Sequence, residues 1–404
     1  MTTPPRRPAG VHWFLPTNGD ARGIVGSAHA KEAAGGTGVS GLREPTVAYL
    51  GEVARAADRL GYDAVLTPTG TWCEDAWLTT AALAGQTGRL RYLVALRPGL
   101  VSPTLAAQMA ATLQRFTGGR VLLNVVTGGD EVEMRRFGDH LDHDERYDRT
   151  AEFLRVLRGV WSAGAPDGPA AFDHTGRHYR IEGARILAAP DPAPEIWFGG
   201  SSDAALPVAA EHADVYLTWG EPPDQARRKI ERVRELAAAR GRTLRFGIRL
   251  HVLTRDRSAD AWDLAQRWLD ELSPEQVAGA QRVLTTSGSV GQRRMAALHD
   301  GGRLAARGTA RDLEVHPGLW AGVGLVRGGA GTALVGSHEE VADLVAEYHD
   351  AGFDEFVLSG YPHLEEAYWF AEGVRPILDA RGITARAAQD PRSGAASGGV
   401  GPTS

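Results

Sequence analysis

The chain of 404 residues has one cysteine, Cys73, so no internal disulfide is possible. Cysteine and histidine are not clustered at metal-ligand spacing, and a structural zinc site is not expected. No run of ~18 apolar residues is present to span a bilayer, and Arg6-Arg7 is followed by no apolar segment that would make an export signal. A formal net charge of -6 leaves no footprint for nucleic acid or an anionic membrane. Cytoplasmic location is therefore the expectation. With 43% hydrophobic and 23% charged residues, the chain can build a sizeable core. Glycine is abundant instead: 50 residues, many where an apolar run ends, which suggests backbone brought close to a ligand.

The apolar runs recur with helical patterns between them. Strand-like segments are Val11–Leu15, Ala64–Leu66, Arg91–Ala95, Val121–Val125, Glu195–Phe198, Val215–Leu217, Phe246–His251 and Glu355–Leu358. Helical patterns cover Thr46–Leu60, Asp75–Ala84, Pro103–Arg115 and Arg146–Trp161, and Phe172–Leu187 reads as an inserted β-ribbon. Eight β/α units of this kind most simply close into an α/β fold of the TIM (β/α)8 barrel type. The surplus length falls into insertions at about 20–45, 165–190 and 275–335 of a single domain, 1–385, and residues 386–404 read as a disordered tail. A doubly wound open sheet is the alternative, but no Gly-x-Gly-x-x-Gly opens the first helix to support its dinucleotide-binding form.

The carboxyl ends of barrel strands are where chemistry collects, and here they carry Asn18, Thr69, Arg97, Thr127, Ser201, Ser202, Trp219, Arg249, His251 and Tyr361. The most unusual stretch is Phe246-Gly-Ile-Arg249-Leu-His251-Val252. Alternate strand residues share a face, so Arg249 and His251 project together while Ile248 and Leu250 face away. Buried side chains of this kind need partners, and an anion such as a sulfonate or phosphate would serve.

Gly199-Gly-Ser201-Ser202 offers small residues, amides and hydroxyls before a helix, a pattern suited to phosphate; capping is the competing explanation for Ser201, Ser202 and Thr127. His143 and Tyr147 in Leu141-Asp-His-Asp-Glu-Arg-Tyr147 add hydrogen-bonding groups, and a charged helix start explains them almost as well. A metal site built from His140, Asp142, His143 and Asp144 is disfavoured, because consecutive residues at a helix start do not all face one ion. Trp320–Gly336 holds six glycines around Arg327 and reads as a stretch too flexible for the core, a lid that brings Arg327 onto an anion while excluding water; a solvated surface loop is the alternative. Cys73, with no histidine beside it in sequence, is expected to tune the site rather than act as a nucleophile.

Those blocks, together with Phe14-Leu-Pro-Thr17, Pro68-Thr-Gly70, Cys73-Glu-Asp-Ala-Trp77, Leu217-Thr-Trp-Gly-Glu-Pro-Pro223 and Ser359-Gly-Tyr-Pro-His-Leu-Glu-Glu-Ala-Tyr368, resemble the bacterial alkanesulfonate monooxygenases, members of the bacterial-luciferase-like superfamily. The resemblance spans roughly residues 11–378. It implies a TIM barrel that takes FMNH2 from a separate NAD(P)H-dependent FMN reductase and uses O2 to cleave the carbon–sulfur bond of an alkanesulfonate, giving sulfite and an aldehyde. By this likeness the active-site group is Cys73, Trp219, Arg249, His251, Arg327 and Tyr361, with Thr69, Thr127, His143, Tyr147, Ser201 and Ser202 toward the flavin, and the assembly is a homotetramer. Asn18 stands where the family usually has histidine, so a proton-transfer role there is not carried over. The alternatives are a related enzyme acting on methanesulfonate or another organosulfur compound, a deazaflavin-dependent reductase, and a non-catalytic flavin-binding barrel.

Overall fold

The computed structural model describes residues 6–25, 43–285, 287–300 and 308–385. The expected C-terminal tail and much of the first insertion lie outside them. Eight parallel strands form the barrel: β1 (Gly10–Phe14), β2 (Ala64–Thr67), β3 (Arg91–Leu96), β4 (Val121–Val125), β5 (Ile196–Phe198), β6 (Val215–Trp219), β7 (Arg245–Arg255) and β8 (Glu355–Ser359). Each pairs with its successor, and β8 pairs back onto β1, closing the sheet.

Helices that bear on the site are α1 (Val47–Leu60), α2 (Ala76–Ala84), α3 (Pro103–Thr117), α4 (His143–Ala163), α5 (Ala205–His212), α6 (Pro223–Ala238), α7 (Val290–Ala297) and α8 (His363–Trp369). Their starts follow local chemistry. Thr46 and Asp75 accept from Tyr49 N (3.2 Å) and Leu78 N (2.8 Å), and Ser102 caps α3 with Pro103 in its first turn. Asp142 accepts from Glu145 N at 2.8 Å, which starts α4 at His143, three residues before the expected Arg146. The ribbon is present as Phe172–Thr175 paired with Arg180–Ala184.

The alternation on β7 sorts its side chains as expected. Phe246, Ile248, Leu250 and Val252 enter the main core shared with the helices, while Arg249 lies over the ring of Phe14, a member of the inner-barrel cluster with Leu66, Leu93, Leu122, Trp197 and Val357. Truncating a wholly buried side chain such as Trp197 costs ~3–5 kcal/mol. At the amino-terminal end, His12 pairs with Glu355 at 2.8 Å, and Arg245 pairs with both Glu355 and Glu195.

Two expectations are overturned. β7 does not end at His251 but runs to Arg255, because Ala333–Ser337 pairs beside it from His251 onward. The Trp320–Gly336 stretch is packed, not loose: Trp320, Val323, Leu325 and Arg327 are all buried, within or beside a second hydrophobic cluster. Its glycines serve close approach. A Cβ on Gly331 would lie 2.9 Å from the Cα of Gly324, whose amide donates to Gly331 O at 2.8 Å.

Candidate active site

Arg249 and His251 turn into the carboxyl-terminal mouth of the barrel, and Arg327 arrives from the packed segment before Ala333. Arg327 Nη1 lies 2.9 Å from His251 Nε2 and donates to Ala330 O at 3.0 Å. A guanidinium has no acceptor, so Nε2 must accept; the imidazole proton therefore sits on Nδ1 and is donated to Ser359 Oγ at 3.0 Å. Burial first, then the charges of Arg327 and Arg249, hold His251 far below the usual imidazole range, so it is neutral. Tyr361 stacks on it, with centroids 5.5 Å apart and planes 14° from parallel.

Arg249 is 7% exposed, and its guanidinium carbon lies 4.1 Å from the centroid of the Phe14 ring. Among the described residues neither of its Nη atoms has a hydrogen-bond partner. Burial and the like charge of Arg327 both pull Arg249 below its ordinary value. Guanidinium keeps its proton in proteins, so the penalty is expressed as a demand for an anion. Arg97, also predicted from the sequence, is the contrast: its Nη2 meets Glu133 at 2.6 Å and Thr69 O at 3.4 Å, so its charge is already compensated.

Trp219 is register partner to Arg249 on the neighbouring strand, which puts both on one face. A Cβ on Gly291 would come 3.0 Å from its ring, so α7 packs directly on it. Cys73 joins a different group. Its Sγ contacts Gly70 O at 3.7 Å beside Thr17, and burial pushes the thiol up to about 12. A thiol in that state is no nucleophile near neutrality.

The residues expected to face a flavin phosphate form a third group. The Tyr147 ring lies 5.0 Å from that of His143, and its hydroxyl stands against Gly200, where an added Cβ would come 3.1 Å from it. Ser202 Oγ accepts from Ala205 N at 3.2 Å in the turn ahead of α5, whose cap position is Ala204. Ser201 follows Gly200, whose carbonyl accepts from the Tyr216 hydroxyl at 2.6 Å, while Thr127 meets Thr150 at 3.1 Å. Thr69 is engaged through its carbonyl by Arg97.

The sequence reading did not single out Asp20 and His363. Asp20 Oδ1 lies 2.8 Å from His363 Nδ1, Oδ2 accepts from His363 N at 2.8 Å, and Tyr49 also donates to the carboxylate. The His363 ring stands edge-on to Tyr361 at 5.1 Å. The pair is 343 residues apart, and only the place of His363 within the Ser359–Tyr368 block gave any signal.

With this geometry in view, a model of the family described as luciferase-like monooxygenase matches residues 11–355. The chain belongs to the luciferase-like monooxygenase family. Solved structures similar to this family member include riboflavin lyase (RcaE) with modified FMN and riboflavin, at 20% identity and TM-score 0.73, covering 94% of this chain and 93% of that one. EDTA monooxygenase (EmoA) from Chelativorans sp. BNC1 aligns at 19% identity and TM-score 0.71, covering 94% and 96%. Long-chain alkane monooxygenase (LadA) aligns at 20% identity and TM-score 0.69, covering 94% and 93%. At these identities the likeness is one of fold.

Proposed function

We propose that this luciferase-like monooxygenase is a two-component, FMNH2-dependent alkanesulfonate monooxygenase. It would take reduced FMN from a separate NAD(P)H-dependent FMN reductase and use O2 to release sulfite and an aldehyde. The observation that carries this reading is Arg249: a buried guanidinium whose two Nη atoms have no hydrogen-bond partner among the described residues, beside a second one, Arg327, in the mouth of the barrel. A sulfonate is a permanent anion with three acceptor oxygens, whereas a long-chain alkane, the substrate named for LadA, has no charge to offer such a pair.

Tyr147, Ser201 and Ser202 supply hydroxyls around a glycine turn and fit the phosphate end of FMN. The turn is tightly built, since a Cβ on Gly200 would come 2.6 Å from Ala205 Cβ and 3.1 Å from the Tyr147 hydroxyl. When bound, reduced FMN supplies the oxygen chemistry. The chain's own residues do the rest: Arg249 and Arg327 hold the sulfonate, neutral His251 fixes Arg327, Ser359 fixes the tautomer of His251, and packed Trp320–Gly336 excludes water.

The test supplies FMN, a flavin reductase, NADH and sulfonates of graded chain length, then assays sulfite. Sulfite from at least one sulfonate is expected; none from any would remove the assignment.

A further inference from the structure

Beside the Gly199–Ser202 turn lies a cavity of about 260 Å³ whose lining, among the described residues, includes Ser201, Arg228, Lys229, Arg232 and Arg294 and no carboxylate. Three elements supply the cations and the hydroxyl: the turn after β5, α6 and α7. The acids that partner these cations stand outside the lining. Buried Glu221 takes both Lys229 and Arg294, the latter at 3.3 Å. Asp224 and Asp203 pair with Arg228 and Arg232 at 3.0 and 2.8 Å, and all four of those side chains are more than 60% exposed. Exposed pairs of that kind hold weakly, so either arginine can turn to a ligand at little cost.

Lys229 is different in kind. It is one of two lysines in the chain, is 8% exposed, and donates to Thr218 Oγ1 at 3.0 Å. Burial draws its amine below the ordinary lysine value even with Glu221 beside it, the mark of a cation held where water reaches it poorly. Two exposed arginines one turn apart on α6 and an ammonium held at Thr218 suit adjoining phosphates, since arginine binds oxyanions bidentately and lysine as a point charge. The volume exceeds what one oxyanion would fill.

We propose that this cavity, which shares Ser201 with the flavin-phosphate turn and lies next to it, is an anion subsite that binds the diphosphate group of a small molecule between Arg228, Arg232 and Arg294 with Lys229 behind. The diphosphate arrives on a free nucleoside diphosphate or as the dinucleotide portion of a flavin. Occupancy is coupled to the active site through α7, which supplies Arg294 to the cavity and Gly291 to the face of Trp219. The inference does not depend on the sulfonate assignment.

The experiment is calorimetric titration of the full chain with pyrophosphate, ADP, FMN and FAD. The variants are Arg228→Ala/Arg232→Ala, which removes only exposed side chains, and Tyr147→Phe, which touches the flavin turn alone. Pyrophosphate should bind saturably with FMN already present, and the double variant should weaken it by about tenfold to a hundredfold, the loss of a hydrogen bond to a charged group. Tyr147→Phe should leave pyrophosphate affinity unchanged. ADP binding alongside FMN identifies the free nucleotide as source; a preference for FAD over FMN that the double variant abolishes identifies the dinucleotide. No saturable pyrophosphate binding, binding indifferent to the double variant, or one-for-one competition with FMN would each overturn the proposal.

Discussion

Replacing Arg249 with methionine separates the two things a buried, uncompensated guanidinium does. Without substrate it is a liability: its Nη atoms have no hydrogen-bond partner and Arg327 repels it. Substituting buried charge with an apolar side chain of similar volume is commonly neutral or stabilising by about 1–4 kcal/mol. At ~2.1 cal/mol/K per residue, a chain of 404 residues unfolds with roughly 0.8 kcal/mol/K of entropy, so each kcal/mol moves Tm by about 1 °C. Arg249→Met should therefore leave ligand-free Tm unchanged or raise it by about 1–4 °C. With substrate the sign reverses. Losing one partner of a desolvated ion pair costs about 3–5 kcal/mol, roughly 150- to 4,000-fold in kcat/KM for sulfonate turnover. Paired melts with and without an alkanesulfonate read both effects: the ligand should raise Tm of the wild type and not of the variant. A ligand-free variant clearly less stable than wild type would mean that Arg249 holds the fold together, and the argument for a bound anion would fail.

Further outcomes follow from the same geometry. Because guanidinium groups keep their protons in proteins and His251 is held neutral, KM for a sulfonate should be flat between about pH 6 and pH 9; a sharp rise across that range would contradict it. Cys73→Ser should retain most activity, and the thiol, pushed up to about 12, should resist iodoacetamide at pH 8; fast alkylation would show a thiolate instead. Glu355, beside His12 and Arg245, is held below the usual carboxylate range, so its contribution is present above about pH 4.5 and lost as pH falls through its lowered value. Urea melts of Glu355→Gln should show less loss of stability between about pH 5 and pH 3 than wild type, and an equal slope would exclude that group. His363→Phe leaves buried Asp20 short of a partner and should cost about 1–3 kcal/mol, partly recovered by adding Asp20→Asn; strict additivity in urea melts would show the pair is not coupled.

What the sequence disclosed was local. Strand alternation in Phe246–Val252 was enough to place Arg249 and His251 on one face, and threonine, aspartate and proline before apolar runs marked helix starts at Thr46, Asp75 and Pro103. Glycine misled. In Trp320–Gly336 composition suggested looseness, yet the absent Cβ atoms let Gly324 and Gly331 backbones meet and Gly322 lie against the Trp320 ring. Periodicity does not report whether a glycine gives freedom or proximity. Nor does it report partners: Asp20 with His363, or the compensation of Arg97 by Glu133 against the isolation of Arg249, depends on contacts between distant segments.

The most direct measurement is a single turnover with chemically reduced FMN and no reductase, mixing wild type or Arg249→Met with an alkanesulfonate and O2 and following sulfite. Wild type should release sulfite in an amount approaching that of enzyme-bound flavin, and the variant almost none. Sulfite formation at equal rates by both proteins would contradict the claim that the buried guanidinium holds the sulfonate.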